Sequence, residues 1–515
     1  MAKYKPYSYT QGAFIPVHFD HQIQPGTFEF TLNHIIENEL DLSIFDSRFC
    51  NDETGAPAYD PKLLLKVVLF AYSRGITSSR KIARACEENV VFMALSANTR
   101  PHFTTVADFI SSLNKETTHL FRDVLLVCDE MGLIGKEMFA IDGCKLPSNA
   151  SKEWSGTKAD FEKKAAKMEQ AVERIISRHQ ISDASGTERE MKKRDEKYVH
   201  TLKKHIKKIR NWLDDNDDKP GKSGKPIKSN ITDNDLAKMK TSKGVIQGYN
   251  GVATADSKRQ VVVHAEAFGQ GPEHDLLKPM VEGTEENFSA IGVPKVFADT
   301  RLTADSGFHT EKNMEMLADR QIDGYVADNQ FRKRDPRFTG SGRYKERHRK
   351  ERAAFEGRRG LFKVDDFTFP KDLSHCTCPA GKRLYRSGSN VAVRNHLATK
   401  FKGPKSACVP CKLRSQCLRK PEITEVRQVA YFLGRSEKGK NTFAEKMKRK
   451  IDSAVGRFVY SKRLGTVEPV FANICNSIGL KQFSLRGKVK VNTQWLMFCM
   501  VHNLKKIHQF GPGVA

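Results

Sequence analysis

Three acidic residues that lie far apart in the sequence are the first candidates for chemistry. Asp142 and Asp305 each follow a short apolar run typical of a strand, and Glu468 lies in a segment with helical apolar spacing. Carboxylate oxygens are ligands that Mg²⁺ prefers, and two such ions can activate an attacking oxygen and stabilise a leaving one. Brought together, the three residues would form a site with two Mg²⁺ or Mn²⁺ ions that cuts and rejoins phosphodiester bonds.

The same residue types also have structural explanations. A single aspartate after a strand is usually a turn or helix-capping residue. Three further aspartates in the same region compete for the role: Asp299, Asp323 and Asp328. Spacing alone therefore does not select the triad.

The charge of the chain points to a polyanionic partner. Lys and Arg number 87 against 61 Asp and Glu, a formal net charge of +26. Nucleic acid is favoured over a membrane surface, because we find no clear basic amphipathic helix, lipid signal or apolar run of 18 residues. The start of the chain lacks the apolar core of a signal peptide, so we expect a cytoplasmic protein.

Residues 1–130 are predicted to form a helical domain. Asp60-Pro61 is a helix start with Asp as the N-cap, Ser78 caps a second helix, and Thr105 with Asp108 has capping-box spacing in a third. Short helices with a tight basic link indicate a helix-turn-helix that binds DNA. A plain helical bundle explains the same pattern.

The order of elements after residue 130 predicts an α/β fold. A strand with Asp142, a hairpin over 244–267, a helix, a strand with Asp305, a helix and a strand precede an insertion and the Glu468 helix. This is an RNase H-like mixed sheet flanked by helices, with an all-α N-terminal domain and a small cysteine-rich insertion. The predicted divisions are 1–130, 131–330 with a charged helical hairpin at 157–213, 331–422, and 423–515.

The insertion carries two features of its own. Residues 331–363 contain thirteen Lys or Arg against four Asp or Glu, which indicates a basic arm or a surface that follows DNA. Further on, Cys408, Cys411 and Cys417 have C-x₂-C-x₅-C spacing, and Cys376 and Cys378 precede them. Four thiolates around a structural Zn²⁺ would stabilise a segment with little core, with Cys378 as the better fourth ligand. A metal-free segment is the alternative.

Several sequence blocks resemble the DDE transposases of bacterial insertion sequences. The most specific match is the C-terminal catalytic segment, and other blocks match the first-aspartate strand, the second-aspartate turn and the hairpin between them. The matching blocks are Tyr460-x-x-Arg463, Val467-Glu-Pro-Val-Phe471, Gly479-Leu-Lys-Gln-Phe483, Leu485-Arg-Gly487, Trp495, His502-Asn-Leu504, Phe139-Ala-Ile-Asp-Gly143, Thr303 to His309 and Lys240 to Tyr249.

The resemblance implies roles for residues of this chain. Asp142, Asp305 and Glu468 would be the metal-binding triad, and Tyr460 and Arg463 would contact a phosphate near the scissile bond. It also implies double-stranded DNA as the partner, at element ends and at the target, and a homodimer that joins two ends.

Two departures from the family pattern bear on activity. Cys475 stands where the family commonly has a lysine seven residues after the glutamate, and a thiol cannot neutralise phosphate. Either Lys481 or another base substitutes, with Arg486 nearby as a further candidate DNA contact, or the copy is impaired. The spacing from Arg463 to Glu468 also differs by one residue from the pattern of the best-known members of this family. A repurposed DNA-binding protein and a nuclease without strand transfer remain alternatives.

Overall fold

A computed structural model describes residues 17–48, 57–183, 189–221, 224, 226–241, 244–338, 361–393, 396–435 and 441–513. The chain divides into two compact units, the first made of residues 1–303 and 462–515 and the second of residues 304–461. Most of the basic 331–363 segment lies outside the described residues.

The helices of the described residues are numbered in chain order. The first unit begins with α1 (Phe28–Asn38), α2 (Pro61–Ser73), α3 (Ser79–Glu88), α4 (Val90–Leu95), α5 (Phe103–Ser112) and α6 (Lys115–Glu130). It continues with α7 (Lys158–Asp183), α8 (Arg189–Asp215) and α9 (Leu277–Ala290). Then come α10 (Glu311–Asp319), α11 (Phe331–Arg334), α12 (Lys405–Cys408), α13 (Arg414–Cys417), α14 (Phe443–Asp452), α15 (Ala454–Ala472) and α16 (Lys488–Phe510).

The strands are numbered in the same way. They are β1 (Met138–Pro147), β2 (Ser155–Gly156), β3 (Lys219–Pro220), β4 (Pro226–Ile227), β5 (Ser229–Asn230), β6 (Ala237–Thr241), β7 (Gly244–Asp256) and β8 (Val262–Phe268). The others are β9 (Arg301–Ala304), β10 (Gly324–Val326), β11 (His375–Thr377), β12 (Arg383–Val393), β13 (His396–Lys402) and β14 (Gln428–Arg435).

The helix start predicted at Asp60-Pro61 is confirmed. The Asp60 carboxylate accepts a hydrogen bond from the Lys62 amide at 2.8 Å, with Pro61 as the first helical residue. Every residue from Leu64 to Ser73 is buried, so α2 is a central helix and not one with a single apolar face. Even Lys66 is buried, where its ammonium pairs with the Glu37 carboxylate and holds the pKa of that carboxyl below its usual range.

The other two predicted helix starts are only partly right. α3 begins after Ser78, but the Ser78 side chain makes no capping hydrogen bond. The capping box at Thr105 and Asp108 is wrong, because α5 already begins at Phe103 with His102 as its N-cap. Whether these helices form a DNA-binding helix-turn-helix stays a prediction.

The charged stretch 157–213 is occupied by α7 and α8, which pack along each other. Their shared core is small and consists of Phe161, Ala165, Ile209 and Trp212. The rest of their described surface is largely polar, as the sparse apolar spacing predicts.

The sheet of the first unit is built around β1 and β7. Its order is β9-β1-β7-β6, and β8 also pairs with β7. The predicted hairpin is confirmed, since β7 and β8 are antiparallel and joined by a turn after Asp256. The mixed α/β class is thus confirmed, whereas the RNase H-like arrangement stays a prediction.

The placement of Asp142 at the end of a strand is wrong. β1 continues for five residues beyond it, and Asp142 lies opposite Ala253 of β7 in the middle of the sheet. Gly143 is not part of a turn. A Cβ there would lie 2.7 Å from the Asn250 side-chain oxygen, so the glycine makes room for Asn250.

The last helix, α16, is fastened to the sheet by buried side chains. The Trp495 indole donates to the Val252 carbonyl at 3.0 Å, where Gly251 leaves room for the ring. Asn503 donates to the Val262 carbonyl and accepts from the Val262 amide, both at 2.8 Å, which satisfies backbone groups of β8. The His502 ring also hydrogen-bonds the Gln260 carbonyl at 2.8 Å.

The second unit contains an antiparallel sheet in the order β11-β12-β13-β14. One face of this sheet covers a small core of Phe367, Cys376, Leu384, Phe401 and Val429. In the same unit α14 packs against α10 and β10. None of the described helices is long and apolar enough to cross a membrane.

Candidate active site

Asp142 is held by an arginine from α15. The Arg463 guanidinium donates to the Asp142 carboxylate at 2.8 Å, and the amide of Gly143 donates to its other oxygen at 2.8 Å. The two side chains are 7% and 20% exposed, so the ion pair is shielded from bulk water. The structure therefore brings together two of the predicted site residues, one from each of the two chain segments that form the first unit.

Arg463 is buried because of its position on α15. Val459, Val467 and Val470 are also buried and recur at helical spacing with Arg463, so they share its face. Glu468 lies five residues after Arg463, about 140° around an α-helix. It is exposed, on the other side of the helix from the ion pair.

The end of α15 is irregular. Pro469 lies inside the helix, where it cannot donate to the Gly465 carbonyl. A π-helical turn, Asn473–Ser477, follows directly. Such turns occur often at functional sites, and this one carries Cys475.

Asp305 and Tyr460 belong to the second unit. Asp305 follows β9, as predicted, and precedes a short 3₁₀ turn at Ser306–Phe308. Tyr460 is buried, and its ring lies edge-on to Phe331 with centroids 5.1 Å apart.

Two candidate DNA contacts, Lys481 and Arg486, lie on the loop between the π-helical turn and α16, and this loop contacts the end of β1. The Phe483 amide donates to the Pro147 carbonyl at 3.0 Å, and the Arg486 guanidinium donates to the Asn149 side-chain oxygen at 2.6 Å. Both basic side chains are exposed. The loop thus brings cations to the strand that carries Asp142.

Cys475 lies close to a second thiol, Cys144, which no sequence motif indicated. Cys144 hydrogen-bonds with Cys475, which raises the pKa of Cys144 and lowers that of Cys475. The Lys481 ammonium lowers the pKa of Cys475 further, so these groups are neighbours. Cys144 lies two residues after Asp142 and therefore on the same face of β1, a period-2 signal present in the sequence.

The predicted zinc ligands lie around one small cavity in the second unit. Cys378, Cys408, Cys411 and Cys417 all line this space of about 30 Å³, enough for a single ion or water. Burial raises the pKa of Cys417, and the other three thiols add to the rise while Arg427 opposes it. Cys376 instead is fully buried in the core beneath the sheet.

Two arginines hold the backbone around this cavity. Arg414 donates to the carbonyls of Cys408, Pro421, Thr424 and Glu425, over 2.7 to 3.1 Å. Arg427 donates to the Cys417 carbonyl at 3.0 Å. These bonds place the cysteine-bearing loops without using the thiols themselves.

Neither set of predicted ligands forms a metal-binding group. Across the residues that the structure describes, no three His, Cys, Asp or Glu side chains are arranged so that they could hold an ion. The carboxylate triad and the Cys₄ site therefore stay predictions.

Two parts of the chain match known protein families. Residues 377–508 match the family model described as Transposase DDE domain, and residues 17–112 match Transposase domain (DUF772). Together the matches indicate an insertion-sequence DDE transposase. No curated protein matches the chain.

The two matches cover different parts of the chain. The DDE match includes the cysteine cavity, Arg463 and Glu468, and the DUF772 match includes α1 to α5. A transposase DDE domain implies an enzyme that cleaves and transfers DNA strands, and such domains generally use divalent metal ions. Transposases act on DNA, so the matches are consistent with DNA as the partner of this chain.

Proposed function

We propose that the chain is a DNA transposase that binds element ends, cuts DNA and transfers strands by two-metal-ion phosphoryl transfer. The observation that supports this most is the contact between Asp142 and Arg463. It joins the predicted first aspartate to the segment that carries Glu468, and that segment lies within the DDE match.

Asp142, Asp305 and Glu468 would hold two Mg²⁺ or Mn²⁺ ions. Their hard carboxylate oxygens fit such ions, and Glu468 is exposed and Asp142 partly so. When bound, the ions would lower the charge barrier to attack on a phosphodiester. An RNase H-like sheet would carry the two aspartates.

The protein itself contributes positive charge. Arg463 neutralises Asp142 in the present structure, and with Tyr460 it would contact a phosphate once DNA and metal are bound. Lys481 would replace the lysine missing at Cys475, because its ammonium is near enough to lower the pKa of that thiol. Arg486, which is exposed near the end of β1, would add a second positive charge beside that of Lys481 for contact with DNA.

The remaining parts would support the same reaction. The N-terminal helices, which match a transposase domain, would bind double-stranded DNA at the terminal repeats. Zn²⁺ held by Cys378, Cys408, Cys411 and Cys417 would stabilise the insertion. We propose a homodimer on DNA, since two ends must be joined, and a cytoplasmic location.

The test is DNA cleavage in Mg²⁺ by carboxylate-to-amide variants. Asp142→Asn, Asp305→Asn and Glu468→Gln should each lower nicking of a plasmid with element ends about a hundredfold or more, because each removes a charged metal ligand. Asp142→Asn keeps an oxygen that can accept from Arg463, so its fold and end binding should persist. Glu445→Gln, a carboxylate change on α14, is the matched control.

Retained nicking in any one of the three variants would remove that residue from the triad. Two alternatives have distinct outcomes. A catalytically impaired DNA-binding protein, which Cys475 favours, would bind ends but not nick DNA with either Mg²⁺ or Mn²⁺. A nuclease without strand transfer would nick but fail to join a 3′ end to target DNA.

A further inference from the structure

The sheet formed by β11, β12, β13 and β14 in the second unit has two chemically different faces. Leu384, Phe401 and Val429 point to the core on one side. Because side chains alternate along a strand, the residues beside them point the other way. Those residues are Tyr385 on β12, Lys400 and Lys402 on β13, and Ala430 and Phe432 on β14.

Two aromatic rings are prominent on this outer face. Tyr385 is 50% exposed and Phe432 is 51% exposed. Tyr385 lies opposite Lys402, and Phe432 lies opposite Ala398, four residues along β13. Strand rise and strand spacing put the two rings roughly 16 Å apart, enough for each to contact a different ligand group.

Positive charge lies beside Tyr385 and between the two rings. No aspartate or glutamate occurs between Asp372 and Glu422, nor within β14. On the outer face Tyr385 is opposite Lys402. Lys400 lies two residues before Lys402 on β13 and therefore points to the same face. Arg383 lies two residues before Tyr385 and is exposed. The face is therefore complementary to a polyanion.

Rings and cations together select one kind of polyanion. A basic patch alone would follow any phosphate backbone, but an aromatic ring gains most by stacking on a free base face. In a duplex those faces are hidden by neighbouring bases. We propose that the outer face of β12, β13 and β14, centred on Tyr385 and Phe432, binds single-stranded DNA.

This inference rests on the proposed function, since cutting at an element end is what frees a strand. Lys400, Lys402 and Arg383 attract its phosphates, and Tyr385 and Phe432 stack with two of its bases. The site lies entirely within the second unit and uses none of the predicted metal ligands.

The test is binding of a fluorescent oligo-dT single strand, and of a duplex of equal length, by the full chain in EDTA. The double variant Tyr385→Leu, Phe432→Leu should bind the single strand at least tenfold more weakly, with less than a twofold change for the duplex. Tyr385→Phe with Phe432→Tyr keeps both rings and should bind like the unaltered protein. Ile423→Ala, at an apolar residue that is 71% exposed in the same unit, is the control.

Equal loss for single strand and duplex would show a general phosphate surface and overturn the proposal. So would no loss, or no single-strand binding by the unaltered protein. If the leucine variant only abolishes self-association, the face is an interface between copies and the proposal is wrong. Plasmid nicking separates the two proposals, because loss of nicking with intact ring-dependent binding contradicts only the transposase function.

Discussion

The Asp142 region and the cysteine cavity are stabilised in contrasting ways. Around Asp142 the protein supplies its own counter-charge, and the strand is buried in a sheet fastened by Trp495 and Asn503. Around the cavity, four thiols share a small space above a core of five buried residues. The first region is organised by packing, whereas we predict that the second depends on the Zn²⁺ proposed for its four cysteines.

Removal of zinc should give the largest difference between the two regions. Each of Cys378→Ser, Cys408→Ser, Cys411→Ser and Cys417→Ser should lose the bound zinc and lower the melting temperature of the second unit, because structural zinc contributes directly to folding. Metal content by mass spectrometry and calorimetry in a chelator measure this.

Cys376→Ala is the control, since Cys376 lies in the core and not at the cavity. It should keep about one zinc per chain at some cost in stability. If protein expressed in medium with ample zinc carries no zinc, the cysteine cavity does not depend on metal. The proposed difference between it and the Asp142 region is then wrong.

Breaking the ion pair should give the next largest effect, confined to the first unit. Arg463→Met takes the guanidinium from a shielded carboxylate and should lower the free energy of unfolding by about 3 kcal/mol, whereas Arg463→Lys should cost less. Urea unfolding in EDTA measures both variants. A stability change below about 0.5 kcal/mol for Arg463→Met, with weaker DNA binding, would assign the arginine to phosphate contact alone.

Acid should also act on the first unit, with a smaller effect. Burial lowers the pKa of His264 and His502 from 6.5 to about 4, so both are neutral in the fold at pH 5.5. Unfolded histidines bind protons below about pH 6.5, so stability is lost as pH falls from there towards 4. The loss at pH 5.5 relative to 7.5 should be about 1 kcal/mol for each histidine.

The measurement is urea unfolding at both pH values. A variant with His264→Asn and His502→Gln should show a weaker pH dependence, even if it is less stable throughout. An unchanged pH dependence would mean that other groups carry the acid sensitivity.

Local signals in the sequence were reliable where one residue dictates the backbone. Asp60-Pro61 gives a helix start whatever surrounds it, and the β7–β8 hairpin follows from alternating apolar residues around a turn. The strand end predicted at Asp142-Gly143 was wrong, because that glycine accommodates the Asn250 side chain of a neighbouring strand. Such a cause lies more than a hundred residues away in the sequence.

In the candidate site, too, some features could be predicted from the sequence and others depend on packing. Residue types and family resemblance led to Asp142, Arg463 and the four cysteines, and the structure brings the first two into contact and the cysteines around one cavity. The exposed position of Glu468 follows from how α15 is rotated, which depends on packing of Val459, Val467 and Val470. Cys144 was missed because a thiol two residues from an aspartate matches no motif.

The two hydrogen bonds between the Asn503 side chain and the Val262 backbone have a consequence for biosynthesis. The first unit is discontinuous, and its closing helix α16 is synthesised only after β8 and the whole of the second unit. Until then β8 presents open amide and carbonyl groups to the solvent, a template for aberrant pairing with other nascent chains. Premature termination before α16 should therefore yield insoluble material in place of a smaller working protein.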